Sequence, residues 1–141
     1  MNNTEPLILN IRESDRKHYD RLLQDAPFSG QGNKVVFMTA MIIGFLKGER
    51  VKLDKKKDYT RTEYFREEEK LVIKAIAVCE SGDLKVLAHR KEVYSIAEEF
   101  AAGGIGILIE DVCGPQYGTF VKRFESQLVS EFAKMDQTLA E

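Results

Sequence analysis

The sequence predicts a mainly α fold, a compact bundle of about five helices, with room for a short N-terminal strand or small hairpin. Three observations lead there. The run VVFMTAMIIGFL, Val35 to Leu46, is apolar on nearly every side, which is the signature of a helix inside a core. Four further segments repeat apolar residues at helical spacing. The chain has 141 residues, 43% of them apolar, a size and composition that fill one core and predict a single domain over 1–141.

Residues 1–12 alternate weakly at Leu7, Leu9 and Ile11, as in a short strand or an extended arm packed on the domain or on a partner. Ser14 is placed to cap a helix with Asp15 in its first turn, a stripe at Tyr19, Leu22 and Leu23, and Pro27 at its end. The central helix follows FSGQGN. Its twelve residues fall short of the roughly 20 needed to cross a bilayer. Asn33 is positioned to cap it and Gly48 to end it in a left-handed turn. Ala40, Gly44 and Gly48 fall four apart, on one face, where a second helix can approach closely.

Beyond Gly48 the composition turns basic, and Val51 to Tyr59 lacks helical periodicity, as an exposed loop or short hairpin would. A third helix is expected from about Thr62 to Glu80, burying Phe65, Leu71, Val72, Ala75, Ile76 and Cys79 and stopped by Ser81-Gly82-Asp83. Leu84 to Leu87 fits a turn of helix or a strand. A fourth helix, about Lys91 to Ala102, faces inward at Val93, Ile96, Ala97 and Phe100 and is expected to break at Gly103-Gly104. Residues 105–112 fit helix better than buried strand, because no convincing partner strand is visible, and Cys113-Gly114-Pro115 ends them. A last amphipathic helix, about Thr119 to Leu139, aligns Phe120, Phe124, Leu128, Phe132 and Met135, and the final few residues are expected to be disordered.

Charge bounds the function. Twenty-one basic residues stand against 23 acidic ones, so the whole molecule is no polycation and any nucleic-acid contact must be local. Lys47 to Arg66 is the most basic stretch, eight cations against Glu49, Asp54, Asp58 and Glu63. Lys47, Arg50, Lys52, Lys55, Lys56, Lys57 and Arg61 form the candidate phosphate-contacting set, with Tyr59 and Tyr64 interleaved as candidate stacking groups. The competing reading is a solvated connection between helices, since the carboxylates among the cations would repel a phosphate backbone. His89-Arg90-Lys91 extends the patch if the fold brings the two together.

No catalytic, metal or cofactor motif is present in the sequence. Cys79 and Cys113 lie 34 positions apart without a neighbouring His and read as buried free thiols. Gly103, Gly104 and Gly106 resemble a phosphate loop only superficially, because a helix precedes them and no Lys-Ser/Thr pair follows, so they read as a tight helix-to-helix turn. His18 and His89 read as surface residues. Asp25, Glu98, Glu110 and Asp111 have no spacing that would bring them together as a carboxylate or metal site. Absence of an N-terminal leader pattern points to the cytoplasm, which suits reduced thiols.

The pieces PF, VVFMTAMIIGFLKGER, EYFR, IKAIAV and IAEEFAAGGIGIL resemble the small Dnd system-associated proteins encoded beside bacterial DNA phosphorothioation genes. The resemblance runs roughly from Arg16 to Val112. Its most specific parts are the central helix through Gly44, Gly48 and Arg50, and the segment Ile96 to Leu108. An asparagine commonly precedes the family's double glycine where this chain has Ala102. The resemblance implies an accessory protein of a DNA modification and restriction (defence) system that acts with larger protein partners, and it carries over no active site. The reading is therefore a non-enzymatic module binding protein subunits of that system, with direct DNA contact as an added expectation. Rival readings are a structural homo-oligomer, a small transcriptional regulator, for which no polar recognition helix is visible, and an enzyme whose site only the fold would assemble.

Overall fold

The computed structural model describes residues 4–24, 28–113 and 128–135. It is mainly α, as expected, with one antiparallel strand pair. Strand β1 (Ile8–Arg12) leads through a 3-10 turn into α1 (Arg16–Gln24); α2 (Asn33–Lys47), β2 (Lys56–Arg61), α3 (Glu67–Ser81) and α4 (Arg90–Cys113) follow, and residues 128–135 are helical again. By internal contacts the chain divides into two compact units, Met1–Leu108 and Ile109–Glu141. The expected helix end at Pro27, the Gly114-Pro115 stop, most of the last helix, including Phe120 and Phe124, the final residues expected to be disordered, the surroundings of the Cys113 side chain and the candidate Asp25 lie outside the described residues.

Helix α2 is the core element its composition dictates: Val36, Phe37, Ala40 and Met41 are fully buried. Gly48 ends it at φ 68°, the left-handed turn expected there. The expected Asn33 cap is not made. Gly32 occupies the cap position, and Asn33 Nδ2 instead donates to the Tyr59 carbonyl at 3.1 Å, tying the start of α2 to β2. Ser14 likewise lies inside the 3-10 turn rather than capping α1. There the buried Asp15 is held by Arg12 through two hydrogen bonds of 2.8 and 3.1 Å, and Arg12 Nη2 reaches the Ala102 carbonyl at 3.3 Å.

The expected break at Gly103-Gly104 does not occur. Helix α4 runs unbroken through both glycines and Gly106, so the helix-to-helix turn read there is overturned, whereas the helical reading of 105–112 holds. The reason is packing. A Cβ on Gly104 would fall on the Ala40 carbonyl and one on Gly44 on the Phe100 carbonyl, so α2 and α4 cross backbone to backbone where neither has a side chain. Burial gained at this crossing outweighs the roughly 1 kcal/mol of helix propensity that each glycine costs. Close approach of the α2 small-residue face, expected from Ala40 and Gly44, is thus what α4 exploits, and Phe45 and Phe100 pack edge to face beside it at 5.5 Å.

Phe65 and Ile76 are buried as expected, but the rest of the stripe on helix α3 differs from the one expected. Ile73, Ile76 and Ala77 face the core, while Leu71, Val72, Ala75 and Cys79 are exposed. Two ion pairs are made in this rotation: Lys34 Nζ to Glu69 Oε1 at 2.9 Å near the start of the helix and Arg50 Nη1 to Glu80 Oε1 at 3.0 Å near its end. Gly82 closes the helix at φ 73°, as its position suggested, and Leu84–Ala88 forms a 3-10 turn.

Candidate functional site

Strand β2 carries the centre of the basic set. It pairs with β1 through Ile8↔Arg61, Leu9↔Thr60, Asn10↔Asp58, Ile11↔Lys57 and Arg12↔Lys56, a register that skips Tyr59. A bulge of this kind re-aims the extra side chain. Tyr59 turns inward, only 7% exposed, against Tyr19 at 4.5 Å between ring centroids, with the Arg16 guanidinium 5.6 Å from its ring. The expected base-stacking role of Tyr59 is therefore excluded by its burial, while Tyr64 stays 60% exposed.

The seven candidate cations divide into two groups. Arg50 is a structural clasp: its Nε lies 2.6 Å from Glu99 Oε1 and its Nη1 3.0 Å from Glu80, and its guanidinium sits 5.9 Å from the Phe100 ring centroid. It joins the segment after α2 to both α3 and α4, and it is spent there. Arg61 pairs with Glu63 at 2.7 Å, and Lys56 lies 4.0 Å from Glu98. Lys47, Lys52, Lys55 and Lys57 are exposed and, among the described residues, pair with no carboxylate. These four remain available to an anionic ligand. Lys91 of the His89-Arg90-Lys91 cluster joins Lys56 in lining one cleft of about 440 Å³, so the fold does bring the second basic cluster to the first.

Glu98 lies in the wall of that cleft. Its Oε2 accepts from the Asn10 backbone N–H at 2.5 Å and from Asn10 Nδ2 at 3.1 Å, which fastens β1 to α4. Burial pushes its carboxyl above the usual range, against the opposing pull of the Asn10 donors and Lys56. Glu98 and Glu99 thus serve two separate anchors, and among the described residues no three His, Cys, Asp or Glu side chains gather as a metal site. His89 is exposed and Cys79 is an exposed free thiol, not the buried one expected.

A second surface was not anticipated. The outer face of α3 presents Leu71 at 66% exposure and Val72 at 38%, with Ala75 and Cys79 on the same side, and the following turn adds Leu84 at 71%. The sequence holds its signal: between Leu71 and Cys79 every residue except Lys74 is apolar, too many for one buried stripe.

The family comparison decides the wider assignment. Residues 14–138 match the family model described as DNA sulphur modification system-associated protein 4. The chain belongs to this family. The match covers α1 to α4 and β2, so the α2–α4 crossing and both surfaces lie within the family domain. No curated protein and no solved structure matches the chain. Among the described residues no helix is long and apolar enough to cross a membrane.

Proposed function

We propose that this chain is a non-enzymatic accessory protein of a bacterial DNA sulphur modification and restriction system, acting in the cytoplasm, and that it docks on a protein of that system through the outer face of α3. Family membership supplies the system. The observation that carries the docking surface is α3 itself, a helix already committed to the core through Ile73, Ile76 and Ala77 that still turns Leu71, Val72, Ala75 and Cys79 to solvent. A surface helix normally turns polar residues outward, and a contiguous apolar face marks an interaction site. Glu68 flanks its start, so the partner presents an apolar groove with a basic group at that end. Co-expression with the other proteins of the system tests this. The wild type co-purifies with one of them, and Leu71→Glu with Ala75→Glu abolishes that association while leaving the melting temperature in place. Association that survives the double variant counts against the surface.

A second reading, direct contact with DNA, is favoured by the unpaired Lys47, Lys52, Lys55 and Lys57 and by the approach of Lys91 to Lys56. It predicts binding to duplexes, normal or phosphorothioate-containing, whose log affinity falls with log salt by about 0.9 per phosphate contacted. Self-association is the third occupant open to the α3 face. Light scattering distinguishes it, because a heteromeric docking face leaves the isolated chain monomeric.

A further inference from the structure

At the start of α4 the fold gathers a further set of cations, in a pocket that shares Tyr94 with the cleft of Lys56 and Lys91. Lys70, Lys74, Arg90 and Tyr94 line a pocket of about 200 Å³ together with Glu5 and Glu67. Glu5 enters from the N-terminal segment as the resident anion. Its Oε2 accepts from Lys70 Nζ at 3.2 Å and its Oε1 from the hydroxyl of Tyr94, a residue only 2% exposed. Burial opposes ionisation of Glu5, yet the Tyr94 and Lys70 hydrogen bonds hold its carboxyl below the usual range. Lys74 and Arg90 line the same pocket; Lys74 adds its charge to the field that holds Glu5 ionised, and among the described residues neither forms a salt bridge.

We propose that this pocket is a receptor for a tetrahedral oxyanion of the phosphate class, with Glu5 as a built-in competitor that occupies it in the free protein. Charge supports the match. With Glu5 in place the three cations exceed the two carboxylates by one; with Glu5 withdrawn they exceed Glu67 alone by two, the charge a phosphate dianion neutralises. The donors suit it as well, since two ammonium groups, a guanidinium and a phenol converge on one small space. Withdrawal of Glu5 does not require the strand to leave. Thr62 holds the next two residues through hydrogen bonds from Oγ1 to the Pro6 carbonyl at 2.7 Å and from its N–H to the Leu7 carbonyl at 3.0 Å, so Pro6 and Leu7 stay in place when the Glu5 side chain turns away.

The test uses the full chain titrated with inorganic phosphate at constant ionic strength, read from the amide shifts of Lys70 to Lys74 and Arg90 to Tyr94. Glu5→Gln, which keeps the size of the side chain and removes the competing charge, binds phosphate about tenfold more tightly than the wild type. Lys74→Gln with Arg90→Gln, both away from the core, removes binding in either background. The proposal is overturned if Glu5→Gln gives no gain, or if phosphate shifts persist in the Lys74/Arg90 double variant. Equal shifts with chloride at matched ionic strength also overturn it.

Discussion

Gly104 of α4 faces the Ala40 carbonyl of α2 with no room for a methyl group between them. Because the obstacle is backbone on a core helix, neither partner can yield by changing a rotamer. Gly104→Ala is therefore expected to destabilise the protein by about 3 kcal/mol, the upper end of the overpacking range, and Gly44→Ala, blocked by the Phe100 carbonyl, by a similar amount. Gly106 provides the control. Nothing lies within 4 Å of a Cβ placed there, so Gly106→Ala stabilises by about 0.5–1 kcal/mol through helix propensity. Urea denaturation of the three variants checks the contrast.

Arg50 and the lysines of β2 should separate cleanly. Arg50→Ala removes hydrogen bonds to Glu99 and Glu80 and its packing on Phe100; discounted for a side chain 37% exposed, the loss is about 1 kcal/mol. Lys55→Glu with Lys57→Glu changes stability by less than about 0.5 kcal/mol, because both are exposed and unpaired. Thermal melts measure both, and any loss of DNA binding in the lysine variant is then free of a folding defect.

The two stripes of α3 give opposite responses. Ile73→Ala, in the core, costs about 2–5 kcal/mol. Leu71→Glu, on the outer face, leaves stability within about 0.5 kcal/mol. A substantial loss at Leu71 in the isolated chain would place that side chain in the core and remove the docking surface.

Glu98 sets a pH dependence whose sign follows from its raised carboxyl. The folded state holds the proton more tightly than the unfolded chain, so stability contributed by this group falls as pH rises from about 4.5, the ordinary carboxylate value, through the raised folded value, and then levels off. Glu5 and Glu69, both lowered, act in the opposite sense and lose their contribution as pH drops below 4.5. The difference between wild type and Glu98→Gln isolates the first effect: the stability advantage of the Gln variant grows from pH 4.5 upward and reaches a plateau. Chemical denaturation across pH 4–8 reads it.

Much of this fold was legible because local signals agreed with packing. The all-apolar α2, the left-handed Gly48 and Gly82, and the inward face of α4 at Val93, Ile96, Ala97 and Phe100 each follow from residue type and spacing. Failures came where distant contacts overrule local preference. Gly103-Gly104 reads as a break until Ala40 and Gly44 are laid against it, and α3 contains two apolar stripes between which only the packing of distant elements chooses. The basic set was visible as composition, but the bulge that buries Tyr59 and the carboxylates that engage Arg50 belong to the tertiary structure alone.

The docking claim is tested most directly from Cys79, the exposed thiol on the outer face of α3. A benzophenone attached there by maleimide, in a Cys113→Ser background, is photo-activated in cells or extracts containing the whole sulphur modification system. The account predicts a cross-linked adduct with one protein of that system, lost when Leu71 and Ala75 carry the Glu substitutions. An adduct only with a second copy of this chain, or none from Cys79 while a probe at Lys55 cross-links a system protein, would contradict it.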